Sequence, residues 1–90
     1  MVAMPAISGK GVEVCLAFGE ASLAVHRVTE DLAVAGVSSG PVAASHEELL
    51  AAHDELRILF GAGETEGVAE LALTVLVLAE RTTLLLEGAG

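Results

Sequence analysis

Ninety residues with 13 acidic and four basic side chains, a formal charge of −9, allow one domain at most and very little basic surface. Phosphate backbones and anionic membrane surfaces are recognised through Lys and Arg, so neither nucleic acid nor a membrane surface is an expected partner. Apolar residues make up 53% of the chain, yet Phe18 and Phe60 are the only aromatics, and a domain of this size buries only ~60% of the surface its unfolded chain exposes. Small domains with so little bulky filling are usually completed by a disulfide, a metal or another subunit. Cys15 is the only cysteine, which excludes a disulfide within the chain. In its apolar stretch it reads as a small buried hydrophobe, in keeping with a reducing, cytoplasmic setting.

Residues 1–10, with Pro5, Ser8 and Gly9, read as an irregular lead-in to a single helical domain over 11–90. Over about 11–36 the apolar positions Val14, Phe18, Ala21, Val25, Val28, Leu32 and Ala35 alternate steps of four and three, which keeps one face of a helix apolar. Gly36 suits its C-terminal cap. Gly19 costs ~1 kcal/mol inside a helix, so continuity through it is open. Gly36 to Ala44, with Ser38-Ser39-Gly40-Pro41, reads as the main linker.

Ser45-His46-Glu47-Glu48 has the form of a capping box and predicts a short second helix over about 46–60. Its apolar face is Leu49, Ala52, Leu56 and Leu59, widened by His53 and Phe60, and Gly61-Ala62-Gly63 ends it. Glu64 and Glu66 suit the positive end of a third helix over about 64–87. Its seam is Val68, Leu71, Val75, Leu78, Thr82 and Leu85. The expected fold is all-α, with about three helices (long, short, long) in a small bundle completed by oligomerisation.

The apolar residues off the seams carry the functional reading. Leu73, Leu76, Val77 and Leu84 lie away from the third helix's seam, and Leu16 and Leu23 lie opposite that of the first. A helix apolar nearly all round is buried on most sides, and two companions in a chain this short cannot surround it. These six residues are the candidate interface, with a second copy, another protein, or both as the expected partner.

Catalytic and metal chemistry finds little support. His46 and His53 are seven residues apart, ~10.5 Å along one helix, whereas zinc ligands on a helix recur at three or four residues. His46 reads as a polar rim residue and His53 as a partly buried, hydrogen-bonded one. Glu47, Glu48, Asp54 and Glu55 read as a solvated face rather than a carboxylate pair in a cleft. Ser8-Gly9-Lys10-Gly11 lacks the earlier glycine and the hydroxyl residue of a phosphate loop. Nothing in the sequence sets a histidine beside Cys15. A helix-turn-helix around Gly61-Ala62-Gly63 would have a recognition helix of Leu and Val with Arg81 as its one base. Arg27 with Asp31, and Arg57 with Asp54, are spaced as helical ion pairs worth only ~0.2–0.5 kcal/mol. No cofactor, metal, small-molecule substrate or enzymatic activity is predicted.

Two resemblances are local. Gly19-Glu20-Ala21-Ser22-Leu23 resembles the Gly-x-Asp-Ser-Leu site of acyl carrier proteins, which implies a phosphopantetheine arm on Ser22. Ala21 stands where that family has aspartate, and Ser22 falls within a predicted helix rather than at its start. In size and texture the chain is also similar to the small helical substrates of type VII secretion. That likeness implies export, although Phe60-Gly61-Ala62 replaces their Trp-x-Gly turn. The longest apolar run, Leu71 to Ala79, is interrupted by Thr74 and falls well short of the ~20 residues a membrane span needs. The sequence therefore predicts a non-enzymatic helical interaction or assembly module. An exported helical substrate, or an acidic antitoxin or inhibitor of a basic protein, is the alternative.

Overall fold

The computed structural model describes residues 9–89 and contains three α-helices: α1 (Gly9–Ala35), α2 (Gly40–Ala62) and α3 (Thr65–Ala89). The all-α, three-helix expectation holds. The long, short, long pattern does not, because the helices have 27, 23 and 25 residues. The middle helix is longer because it starts at Gly40 rather than near Ser45. Ser39, extended at φ −154° and ψ 172°, is its N-cap. Pro41 lies in the first turn, where its missing N–H has no helical partner to lose. Gly40 adopts φ +87°, the left-handed region that turns the chain into the helix. The Gly, Ser and Pro cluster is thus a helix start, and the linker shrinks to residues 36–39.

The predicted capping box at Ser45 is not used. Ser45 lies inside α2 with its side chain buried, and its hydroxyl meets Thr82 Oγ1 of α3 at 2.6 Å. Thr82 donates its own proton to the Leu78 carbonyl at 2.8 Å, so Ser45 is the donor to Thr82. This orientation satisfies both hydroxyls in the core. Among the described residues no buried side-chain nitrogen or oxygen lacks a partner. Helix α1 runs unbroken through Gly19, and Gly9 and Lys10, assigned by sequence to the lead-in, are already helical. The remainder of that expected lead-in, residues 1–8, lies outside the described residues.

Both turns are closed by the same device. The Gly36 and Val37 amides donate back to the Ala33 and Leu32 carbonyls at 3.2 and 3.0 Å. The Gly63 and Glu64 amides do the same to Phe60 and Leu59 at 3.2 and 3.1 Å. This is the Schellman pattern, and it requires a left-handed residue after the helix; Gly36 and Gly63 supply it at φ +72° and +77°. Only Gly63 and Glu64 separate α2 from α3, so those helices form a tight antiparallel hairpin.

Helix α3 packs extensively on both neighbours, whereas α1 and α2 meet each other over less of their length. The core comprises Val14, Ala21, Val25, Val28 and Leu32 of α1, Val42, Leu49 and Leu56 of α2, and Val68, Ala72, Val75 and Ala79 of α3. The α1 seam matches its sequence pattern except that Ala35 is exposed. In α3 the buried face is rotated: Ala72, Ala79 and Leu86 join it and Leu85 moves outward. Small alanines at the contact let the helices approach closely, which favours that rotation.

Leu49 is fully buried, so Leu49→Ala removes a core side chain and leaves a void. The expected cost is about 2–5 kcal/mol, comparable to the whole stability of a small domain, ~5 kcal/mol. Urea denaturation followed by circular dichroism should find the variant largely unfolded, whereas Leu73→Ala should change stability by no more than about 0.5 kcal/mol.

Candidate functional site

Of the six residues predicted at an interface, five stand in solvent. Leu16, Leu23, Leu73, Val77 and Leu84 are each between 58% and 65% exposed. Leu76 is half-buried, because it lies nearer the packed side of α3. Exposure of this extent on Leu and Val is not explained by the fold's own packing. Helical geometry sets the exposed residues opposite the core: at 3.6 residues per turn, Leu16 and Leu23 face away from Val14, Ala21 and Val25, and Leu73, Val77 and Leu84 face away from Val68 and Val75.

The α3 stripe is regular. Glu66, Glu70, Leu73, Val77, Glu80, Leu84 and Glu87 follow one another in alternating steps of four and three, the spacing of a helix-pairing seam. Its centre is a shallow open depression lined by Val77, Glu80, Arg81 and Leu84. These are positions i, i+3, i+4 and i+7, the four residues that frame a hole for a side chain from a facing helix. Arg81 leans from its rim to α2, where it donates to Glu48 at 2.9 Å. On α1 the outer stripe is longer and sparser. Besides Leu16 and Leu23 it includes Val12 and Val34, the latter 89% exposed. Ile58, at 70%, stands on α2 beside a similar open depression lined by Asp54 and Arg57, which pair at 3.4 Å. Val12, Val34 and Ile58 were not singled out from sequence, although Val12 and Val34 fall in helical register with Leu16 and Leu23.

The two histidines of α2 make a polar seam between α1 and α2. His53 Nε2 lies 3.0 Å from Ser22 Oγ, and His46 Nε2 lies 2.9 Å from Thr29 Oγ1. The seven-residue step of the histidines on α2 is matched by a seven-residue step of hydroxyls on the antiparallel α1. That shared spacing was present in the sequence, but nothing there paired the helices in this register. Phe18 continues the seam, stacking on Phe60 with ring centroids 4.2 Å apart and lying 6.4 Å from His53. As the sequence suggested, His53 is buried and hydrogen-bonded, while His46 is half-buried at the edge. Cys15 departs from its reading as a buried hydrophobe, because its position on α1 faces solvent. Ser22, the residue aligned with the acyl carrier serine, is half-buried in the middle of α1 and directed at His53.

Among the described residues, no group of three or more His, Cys, Asp or Glu side chains is arranged to hold a metal ion, and no helix is long and apolar enough to cross a membrane. Compared with known protein families, with curated proteins and with solved structures, the chain gives no match.

Burial pushes the His53 imidazole below its ordinary value of 6.5, Arg57 and His26 push it further, and Asp54 opposes them. The folded protein therefore holds this proton less readily than the unfolded chain does. The stability His53 contributes is complete above 6.5 and is lost as pH falls through that value and on through the lowered folded one. Urea midpoints measured at pH ~8 and ~5 should show an acid-side loss in the wild type that is smaller in His53→Gln. Equal losses in both proteins would exclude His53 as its source.

Proposed function

We propose that this chain is a non-enzymatic helical interaction module, an assembly subunit or adaptor whose outer apolar faces are covered by other protein, further copies of itself included. The observation that carries this reading is the row of exposed Leu73, Val77 and Leu84 along α3, the last two of which frame, with Glu80 and Arg81, a hole of helix-pairing geometry. The exposed Leu16 and Leu23 give α1 an outward apolar face of its own. Apolar rows of this kind, rimmed by charge, are characteristic of protein contact surfaces. The polar groups within the helices do not compete with this reading. Ser22, Thr29, Ser45 and Thr82 bond to partners on neighbouring helices, and His46 and His53 are taken up in the same way.

Light scattering on a sizing column, at low and high salt, tests the reading. The expected result is a mass above that of one chain at both, because apolar contacts resist screening. Replacing Leu16, Leu23, Leu73 and Val77 together by Glu should yield a single-chain mass with helical content intact, since all four side chains are exposed. A wild-type mass of one chain at both salts, up to the highest soluble concentration, would remove self-assembly from the reading.

A further inference from the structure

The outer face of α3 has a charge pattern that selects its occupant. Its apolar positions Leu73, Val77 and Leu84 alternate along the same seam with Glu66, Glu70, Glu80 and Glu87. The nearest base, Arg81, is committed to Glu48 of α2 at 2.9 Å. If two copies paired through this face in parallel, Glu80 would meet Glu80 and Glu87 would meet Glu87. In the antiparallel register that sets Leu73 against Leu84 of the second copy, Glu70 would fall opposite Glu87 twice over. Like charges at facing seam positions destabilise a pair, and each copy already carries a formal charge of −9. The α1 face differs, since Arg27 stands among Glu20 and Glu30 there and offers both signs to a second copy.

Resting on the interaction-module reading above, we infer that the outer face of α3 is the docking site for an amphipathic helix of a different protein, with Lys or Arg at the positions that face Glu70, Glu80 and Glu87. An apolar side chain of that helix fills the depression between Val77, Glu80, Arg81 and Leu84. The flanking bases meet the seam acids, which supplies partner choice and speeds encounter, while the buried apolar side chains supply most of the affinity. Helix-in-groove recognition of this kind is read through apolar anchors at helical spacing, and here Leu73, Val77 and Leu84 recur at i, i+4 and i+11 of one stripe. An anionic membrane is not an equivalent occupant, because the same acids repel it.

The test uses the full chain and two synthetic helical peptides with identical Leu anchors. One carries Lys at the flanking seam positions and the other carries Glu. Binding is measured by calorimetry at low and high salt. The Lys peptide should bind and the Glu peptide should not. Leu73→Ser with Val77→Ser should weaken the Lys peptide by about tenfold or more, the scale of a lost anchor. Glu80→Gln with Glu87→Gln should weaken it less and flatten its salt dependence. Leu16→Ser with Leu23→Ser, on the outer face of α1, should leave it unchanged. Equal binding of both peptides, or Lys-peptide binding indifferent to Leu73 and Val77, would overturn the inference as non-specific charge attraction. A higher-mass wild type dissociated by Leu73→Glu and Val77→Glu, with no Lys-peptide binding, would also overturn it. In that event α3 would be a self-contact and the interaction-module reading would stand. No peptide binding together with a single-chain mass would overturn both.

Discussion

The structure depends on how little bulk its core contains. Ala21, Ala72 and Ala79 sit where α1 and α3 turn inward, and the remaining buried apolar side chains are Val and Leu. Filling the interior to normal density with such residues brings the helices close together. Close helices leave a narrow interior, and a narrow interior holds few side chains. The rest of the apolar content therefore has nowhere to go but the outer faces. Exposed Leu16, Leu23, Leu73, Val77 and Leu84 are the counterpart of an Ala-rich centre.

Polar groups then decide how the three helices register. Aliphatic packing alone tolerates sliding, because one Val or Leu replaces another at small cost. The Ser22–His53 and Thr29–His46 pairs fix α1 against α2 at two points one heptad apart. Ser45–Thr82 and Glu48–Arg81 fix α2 against α3. A buried hydroxyl left without its partner by a shift in register costs roughly 1–3 kcal/mol, more than the methyl exchanges that accompany the shift. Register is therefore specified most strongly at the buried Ser45–Thr82 pair, while the exposed Thr29–His46 and Glu48–Arg81 contacts add less.

Much of this was legible in the residues. The step pattern from Val14 to Leu32 is the buried face of α1, and Leu49, His53 and Leu56 are that of α2. Gly36 and Gly63 end helices as their type suggests. The misreadings share one cause, which is that local signals were overridden by neighbours in space. Ser45 has ideal capping context, yet Thr82 claims its hydroxyl and Ser39 begins the helix. Ala72 and Ala79 look incidental next to Leu71 and Leu78, but helix-to-helix distance selects the smaller residues for the centre. For the outer surface, five of the six singled-out residues are exposed because their positions opposite a seam follow from periodicity alone. Leu76 is half-buried because the boundary of a packed face is set by neighbours rather than by period.

The two-residue join at Gly63 and Glu64 has a consequence for how the molecule is made. Residues on α2 and α3 that touch near this turn are close in sequence, so little chain entropy opposes their meeting. Topologies rich in such near-neighbour contacts fold quickly. The α2–α3 hairpin is thus suited to form as a kinetic nucleus, with α1 closing onto it afterward through the longer join at residues 36–39. During synthesis α1 emerges first, and its apolar side is covered only as α2 and then α3 follow it.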